Sequence, residues 1–78
     1  MEKIAGRRLF KVNVKWSWSH NEEDRYLHYE NNIYYILAED DAVARNEATS
    51  FAYKEITKTK FQLEYCTVEY ICDAVYKA

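Results

Sequence analysis

Between Leu9 and Ser19 the chain alternates strictly: Phe10, Val12, Val14, Trp16 and Trp18 share one parity, and Lys11, Asn13, Lys15 and Ser17 share the other. A period of two carried by β-branched and aromatic residues defines a strand with one apolar face and one polar face. Whatever else the chain forms must pair with this strand and cover its apolar side.

The second strand is read over 25–38. Leu27, Tyr29, Ile33, Tyr35 and Leu37 lie on one parity, while Tyr34 and Ile36 make the opposite parity apolar as well. A strand apolar on both faces calls for cover on both, from its own chain or from a partner. Asn31-Asn32 predicts a bulge, a bend or a split, because Asn tolerates turn conformations. His20 to Asp24 contains no tight-turn pair, so a loop of about four to six residues is expected. Glu39-Asp40-Asp41 then supplies an N-cap and favourable negative charge at a helix start. Ala44, Ala48, Phe51, Ala52 and Ile56 follow with helical spacing, which predicts a helix over 41–58 whose alanines allow close approach to a sheet. Lys54, Lys58 and Lys60 sit near its carboxyl end, where cations are favoured. A third strand over 60–72 carries a parity slip at Tyr65-Cys66, the mark of a β-bulge.

A helical return between the second and third strands makes those two parallel, so a right-handed crossover beside the first strand gives order 2-1-3. The expected fold is α+β: a three-stranded antiparallel sheet, ββαβ, with one helix packed on one face, forming a single domain over 1–78. The expected core is Phe10, Val12, Val14, Trp16, Leu37, Ala44, Ala48, Phe51, Ala52, Ile56 and Val68. One helix covers one face of the sheet, and nothing in the chain is left to cover the other.

Composition narrows the function. Cys66 and Cys72 are the only cysteines. On a regular strand they stand roughly 20 Å apart, beyond the ~7 Å reach of a disulfide, so two buried, reduced thiols in a reducing cytosol are expected. The amino-terminal stretch is polar and basic, without the apolar segment of a secretory signal. The longest apolar run, Ile33 to Ala38, has six residues, against about twenty for a membrane span. The expectation is a cytoplasmic protein that does not enter membranes. Residues 1–20 carry five basic groups against one acid, and residues 21–47 carry eight acids against two arginines. Such a dipole suits the steering of a charged protein partner.

No catalytic motif is present. His20 and His28 stand outside any nucleophile or acid–base pattern, and Gly6, the single glycine, cannot form a phosphate loop. The chain reads as a non-enzyme without a cofactor. Cys66, Cys72, His20 and His28 are zinc-ligating types, yet none forms the close pair of a structural site, and no metal is expected.

Three binding readings follow. The first is a protein-binding module, an inhibitor or modulator, that docks through its uncovered face. Tyr26, His28, Tyr34 and Ile36 are placed there from the second strand, Lys11 and Lys15 from the first, and Thr67, Glu69 and Ile71 from the third. Glu22, Glu23 and Asp24 would orient the encounter, and the same face or a strand edge would allow a homodimer. The second is single-stranded nucleic-acid binding on Lys11, Lys15 and a tyrosine platform of Tyr26 or Tyr34, opposed by the net charge of −2. The third is acidic mimicry of nucleic acid by residues 21–47.

In style, the basic Arg7-Arg8 opening, the strand Phe10 to Trp18 and the passage Tyr34 to Ala48, YYILAEDDAVARNEA, resemble the small proteins that bacteriophages encode against host defences, including anti-CRISPR and antitoxin-like inhibitors. That resemblance implies stoichiometric binding to a host defence component in the host cytoplasm, without catalysis, and transfers no residue role.

Overall fold

A computed structural model describes residues 7–20, 26–58 and 60–73. In chain order they form strand β1 (Arg8–Trp18), strand β2 (His28–Ala38), helix α1 (Asp41–Glu55) and strand β3 (Phe61–Asp73). The strands make one antiparallel sheet of order β2-β1-β3, and α1 packs on one face of it. The α+β architecture and the strand order are those the sequence predicts.

β1 is central because only its pattern suits a strand paired on both sides. Phe10, Val12, Val14 and Trp16 are all buried against α1. The helix begins where its chemistry requires: Asp40 is the N-cap, and its Oδ1 accepts the Val43 backbone N–H at 2.9 Å. It ends earlier than expected, at Glu55, with Ile56 as the C-cap, whose N–H bonds the Ala52 carbonyl. Ala44, Ala48 and Ala52 are completely buried. With no side chain beyond Cβ on that stripe, the helix seats directly on the aliphatic rows of β1.

Four expectations are corrected. Phe51 is 44% exposed and no core residue. At 100° per residue it stands a step around the helix from the alanine stripe and meets the edge of the sheet, its ring 5.9 Å from that of Tyr34. β2 begins at His28 and runs without interruption through Asn31-Asn32, each residue in register with β1 from Trp18↔His28 to Arg8↔Ala38. The loop expected over His20 to Asp24 falls mostly on 21–25, which lie outside the described residues. Cys72 is exposed and Cys66 half-buried, and both are free thiols.

The fourth correction concerns which side of β2 is covered. Cross-strand partners in an antiparallel pair share a face, and β1 pairs Phe10 with Ile36, Val12 with Tyr34 and Trp16 with Glu30. The even-numbered residues of β2 therefore face the helix. Ile36 and Ala38 are buried, whereas Leu37 is only partly so and Tyr35 and Ile33 are exposed. Hydrogen bonding explains the choice. The Trp16 indole Nε1–H donates to Asn32 Oδ1 at 3.1 Å, Asn32 Nδ2 donates to the Tyr34 hydroxyl at 3.0 Å, and that hydroxyl donates to Glu55 Oε2 at 2.8 Å. A buried indole N–H needs an acceptor on its own face, and only the even parity of β2 offers Asn32 and Glu30.

β3 contains two register irregularities, opposite Lys15/Trp16 and opposite Leu9/Phe10. Each leaves one residue of β3, Glu64 and Ile71, without a cross-strand partner. The sequence predicts a bulge near the first, with Tyr65 and Cys66 both facing inward; it falls instead at Glu64, so that Leu63 and Cys66 face the helix and Tyr65 pairs with Lys15 on the opposite side.

Candidate functional site: the open sheet face

The sheet face opposite α1 has no covering element among the described residues. Its central row comes from β1: Leu9, Lys11, Asn13, Lys15 and Ser17. β2 flanks it with Leu37, Tyr35, Ile33, Asn31 and Tyr29, and β3 with Cys72, Glu69, Thr67, Tyr65 and Gln62. Large apolar side chains stand out of this surface, with Tyr29 55%, Ile33 51%, Tyr35 63% and Tyr65 52% exposed. Their exposure follows from the pairing register, since each shares parity with the polar row of β1.

Lys15 organises the middle of the face. Its Nζ lies 5.1 Å from the Tyr29 ring centroid and 5.3 Å from that of Tyr65, within range for cation–π attraction on both sides. One ammonium thus draws tyrosines from both outer strands toward the central strand. Next to it, Asn13 Oδ1 is buried without a hydrogen-bond partner among the described residues. Among the described residues, Glu69 stands on this face opposite Lys11, and Glu64, unpaired at the first bulge, lines a hollow with Ser17 and Gln62. Glu30, Asp40, Asp41, Glu55 and Asp73 lie on the helix side, together with the cations Arg8 and Lys58.

Of the site residues read from the sequence, Lys11 and Lys15 lie on the open face, as do Thr67 and Glu69. Tyr34, Ile36 and His28 do not. Ile36 is 6% exposed in the core, and Tyr34 is held by Asn32 and Glu55. Burial, reinforced by the carboxylate of Glu55, pushes the Tyr34 hydroxyl above its ordinary pKa. Tyr26 is 77% exposed ahead of β2. Ile71 is 41% exposed at the second bulge of β3. Glu22, Glu23 and Asp24 lie outside the described residues. Sequence reading missed Tyr29, Ile33, Tyr35 and Tyr65. The signal that could have found them was the requirement of the two indoles for acceptors on the even parity of β2.

Two further clusters lie on the helix side. At one end His28 stacks on Trp18 at 4.3 Å, Lys58 Nζ sits 4.0 Å from the indole centroid, and His20 meets the same ring edge-on at 5.0 Å. The Trp18 Nε1–H donates to Glu30 Oε2 at 2.6 Å, so the cluster ties the carboxyl end of β1 to β2 and to the segment after α1. His20 and His28 come together there, 5.4 Å apart, while Cys66 and Cys72 lie on opposite faces of β3. Among the described residues no set of three metal-ligating side chains exists.

At the other end, a cleft of about 580 Å³ lies between Phe10, Val68 and Tyr70 on the sheet and Asp40 and Asp41 at the helix start. Three of its polar groups, Arg8, Tyr70 and Asp73, are engaged with one another. Arg8 Nε lies 3.7 Å from Asp73 Oδ1, which also accepts the Tyr70 hydroxyl at 2.8 Å, and that hydrogen bond raises the Tyr70 pKa. Burial raises the Cys66 thiol, against the opposing charge and hydrogen bond of Arg45.

No family model matches this sequence, and no curated protein and no solved structure matches it. No helix among the described residues is long and apolar enough to cross a membrane.

Proposed function

We propose that this protein is a non-enzymatic binding module that docks its open sheet face on another protein, acting as a stoichiometric inhibitor or modulator. The observation that carries this reading is a face without cover among the described residues, displaying Tyr29, Ile33, Tyr35 and Tyr65, each at least half exposed. Tyrosine is enriched in binding hot spots because it presents a rigid apolar body with a polar tip. Large exposed side chains gathered on one face mark a contact surface more than a solvated one. Lys11 and Lys15 favour an acidic patch on the partner.

A second reading is supported by the placement of Lys15 between Tyr29 and Tyr65. Single-stranded nucleic acid is bound by such stacking platforms beside cations. Affinity capture with the wild-type protein and with a Tyr29→Ala/Tyr65→Ala variant, each with and without nuclease, tests both. Loss of a captured protein in the variant alone supports docking on protein, and loss on nuclease treatment supports nucleic acid. Equal capture by both proteins refutes a role for this face.

A further inference from the structure

The sheet has two outer strands, and they are guarded differently. β3 is interrupted by two bulges and carries Glu64, Glu69 and Asp73. Bulges and charges are the usual means by which an edge strand is kept from pairing with another chain. β2 has neither. It is in unbroken register over eleven residues, and from Asn31 to Ala38 it contains no charge, no proline and no glycine. Among the described residues, no backbone hydrogen bond from another element reaches its outer edge. The Leu37 carbonyl, near its end, accepts a bond from the Arg7 side chain, at 3.4 Å.

We propose that β2 pairs with β2 of a second copy, antiparallel about a two-fold axis, merging two sheets into one. The strand is complementary to itself. Antiparallel partners must share a face, so the axis passes through a residue. With the axis through Tyr34, Ile33 meets Tyr35 of the other copy on the open side, and Glu30 meets Ala38. With the axis through Ile33, Glu30 meets Ile36. Neither arrangement sets one acid against another, which would be destabilising.

The helices allow it. α1 rests on all three strands and so lies over β1. Two β1 strands in the merged sheet stand three strand spacings apart, about 14 Å, more than the roughly 10–12 Å diameter of a helix. Pairing of β2 with itself also closes the assembly. Pairing of β2 with β3 would be head-to-tail and open-ended, and the bulges of β3 oppose it. This inference is independent of the docking proposal, and the dimer would join two open faces into one continuous surface.

The test combines sedimentation with amide hydrogen exchange on the full chain, from micromolar to the highest soluble concentration. The expected result is a mass rising from 9.4 kDa to twice that value, with exchange over residues 28–38 slowing as the dimer forms and exchange over 61–73 unchanged. Ile33→Lys and Asn31→Lys place a cation on the edge at exposed positions, and both should remain monomeric with unchanged circular dichroism. A monomer at every concentration overturns the proposal. So does a dimer whose added protection lies outside 28–38, or one that persists in the folded Asn31→Lys variant.

Discussion

Ala48 lies at the centre of the alanine stripe, and replacing it with Leu tests how the helix is seated. Ala44, Ala48 and Ala52 have no exposed surface, so the three added carbons of Leu have nowhere to go unless α1 lifts from β1. Over-packing of this kind costs about 1–3 kcal/mol. A 78-residue domain has a total stability of roughly 4–12 kcal/mol, so about 2 kcal/mol is a large share of it. For a chain of this size that corresponds to a fall of about 8–16 °C in melting temperature. Urea and thermal denaturation followed by far-UV circular dichroism would measure it. Ala42→Leu is the control, because it makes the same substitution at an exposed position of the same helix and should change stability by no more than about 0.5 kcal/mol. Equal effects of the two substitutions would show that α1 does not rest on the sheet through its alanines.

Phe51→Ala should cost about 2 kcal/mol or less in the same assay, well under the roughly 3–5 kcal/mol of a core phenylalanine, because 44% of Phe51 is already exposed. Tyr34→Phe should cost about 1 kcal/mol at neutral pH through its lost hydrogen bonds. It should also flatten alkaline unfolding. Burial and Glu55 raise the folded Tyr34 pKa above 10.0, so the stability it contributes is present below that pH and is lost as pH rises through the folded value. A stability curve of unchanged slope above pH 10 would contradict this. A thiol reagent under native conditions should modify exposed Cys72 before half-buried Cys66, whose thiol is held protonated by burial. Peptide mapping of the singly labelled protein reads the order, and labelling at Cys66 first would contradict the assignment of faces on β3.

Much of the fold was legible because it is written in local periodicity. The Phe10–Trp18 alternation leaves a single choice of buried face, and Asp40 followed by alanines at helical spacing leaves a single start and a single seat for α1. The parity break in β3 was visible too, since a bulge shifts every later side chain to the other face. The docking face was not legible to the same degree. Lys11 and Lys15 were readable because β1 is polar on that side. Tyr29, Ile33, Tyr35 and Tyr65 were not, and Phe51 looked like core because helical spacing alone cannot separate a stripe's centre from its flank.

The sequence by itself determined the order of the elements, the inward face of β1 and the alanine seat of the helix, because each is written in a local periodicity that leaves one solution. Only the tertiary structure decided which side of β2 is covered. Both parities of that strand carry large apolar groups, and the more apolar one, Tyr29, Ile33, Tyr35 and Leu37, is the one left outside. The choice falls to residues distant in sequence: the register with β1, and the Trp16 and Trp18 indoles, which draw Asn32 and Glu30 to the helix side. By that selection Tyr29, Ile33 and Tyr35 are turned outward, and the open face acquires its aromatic character.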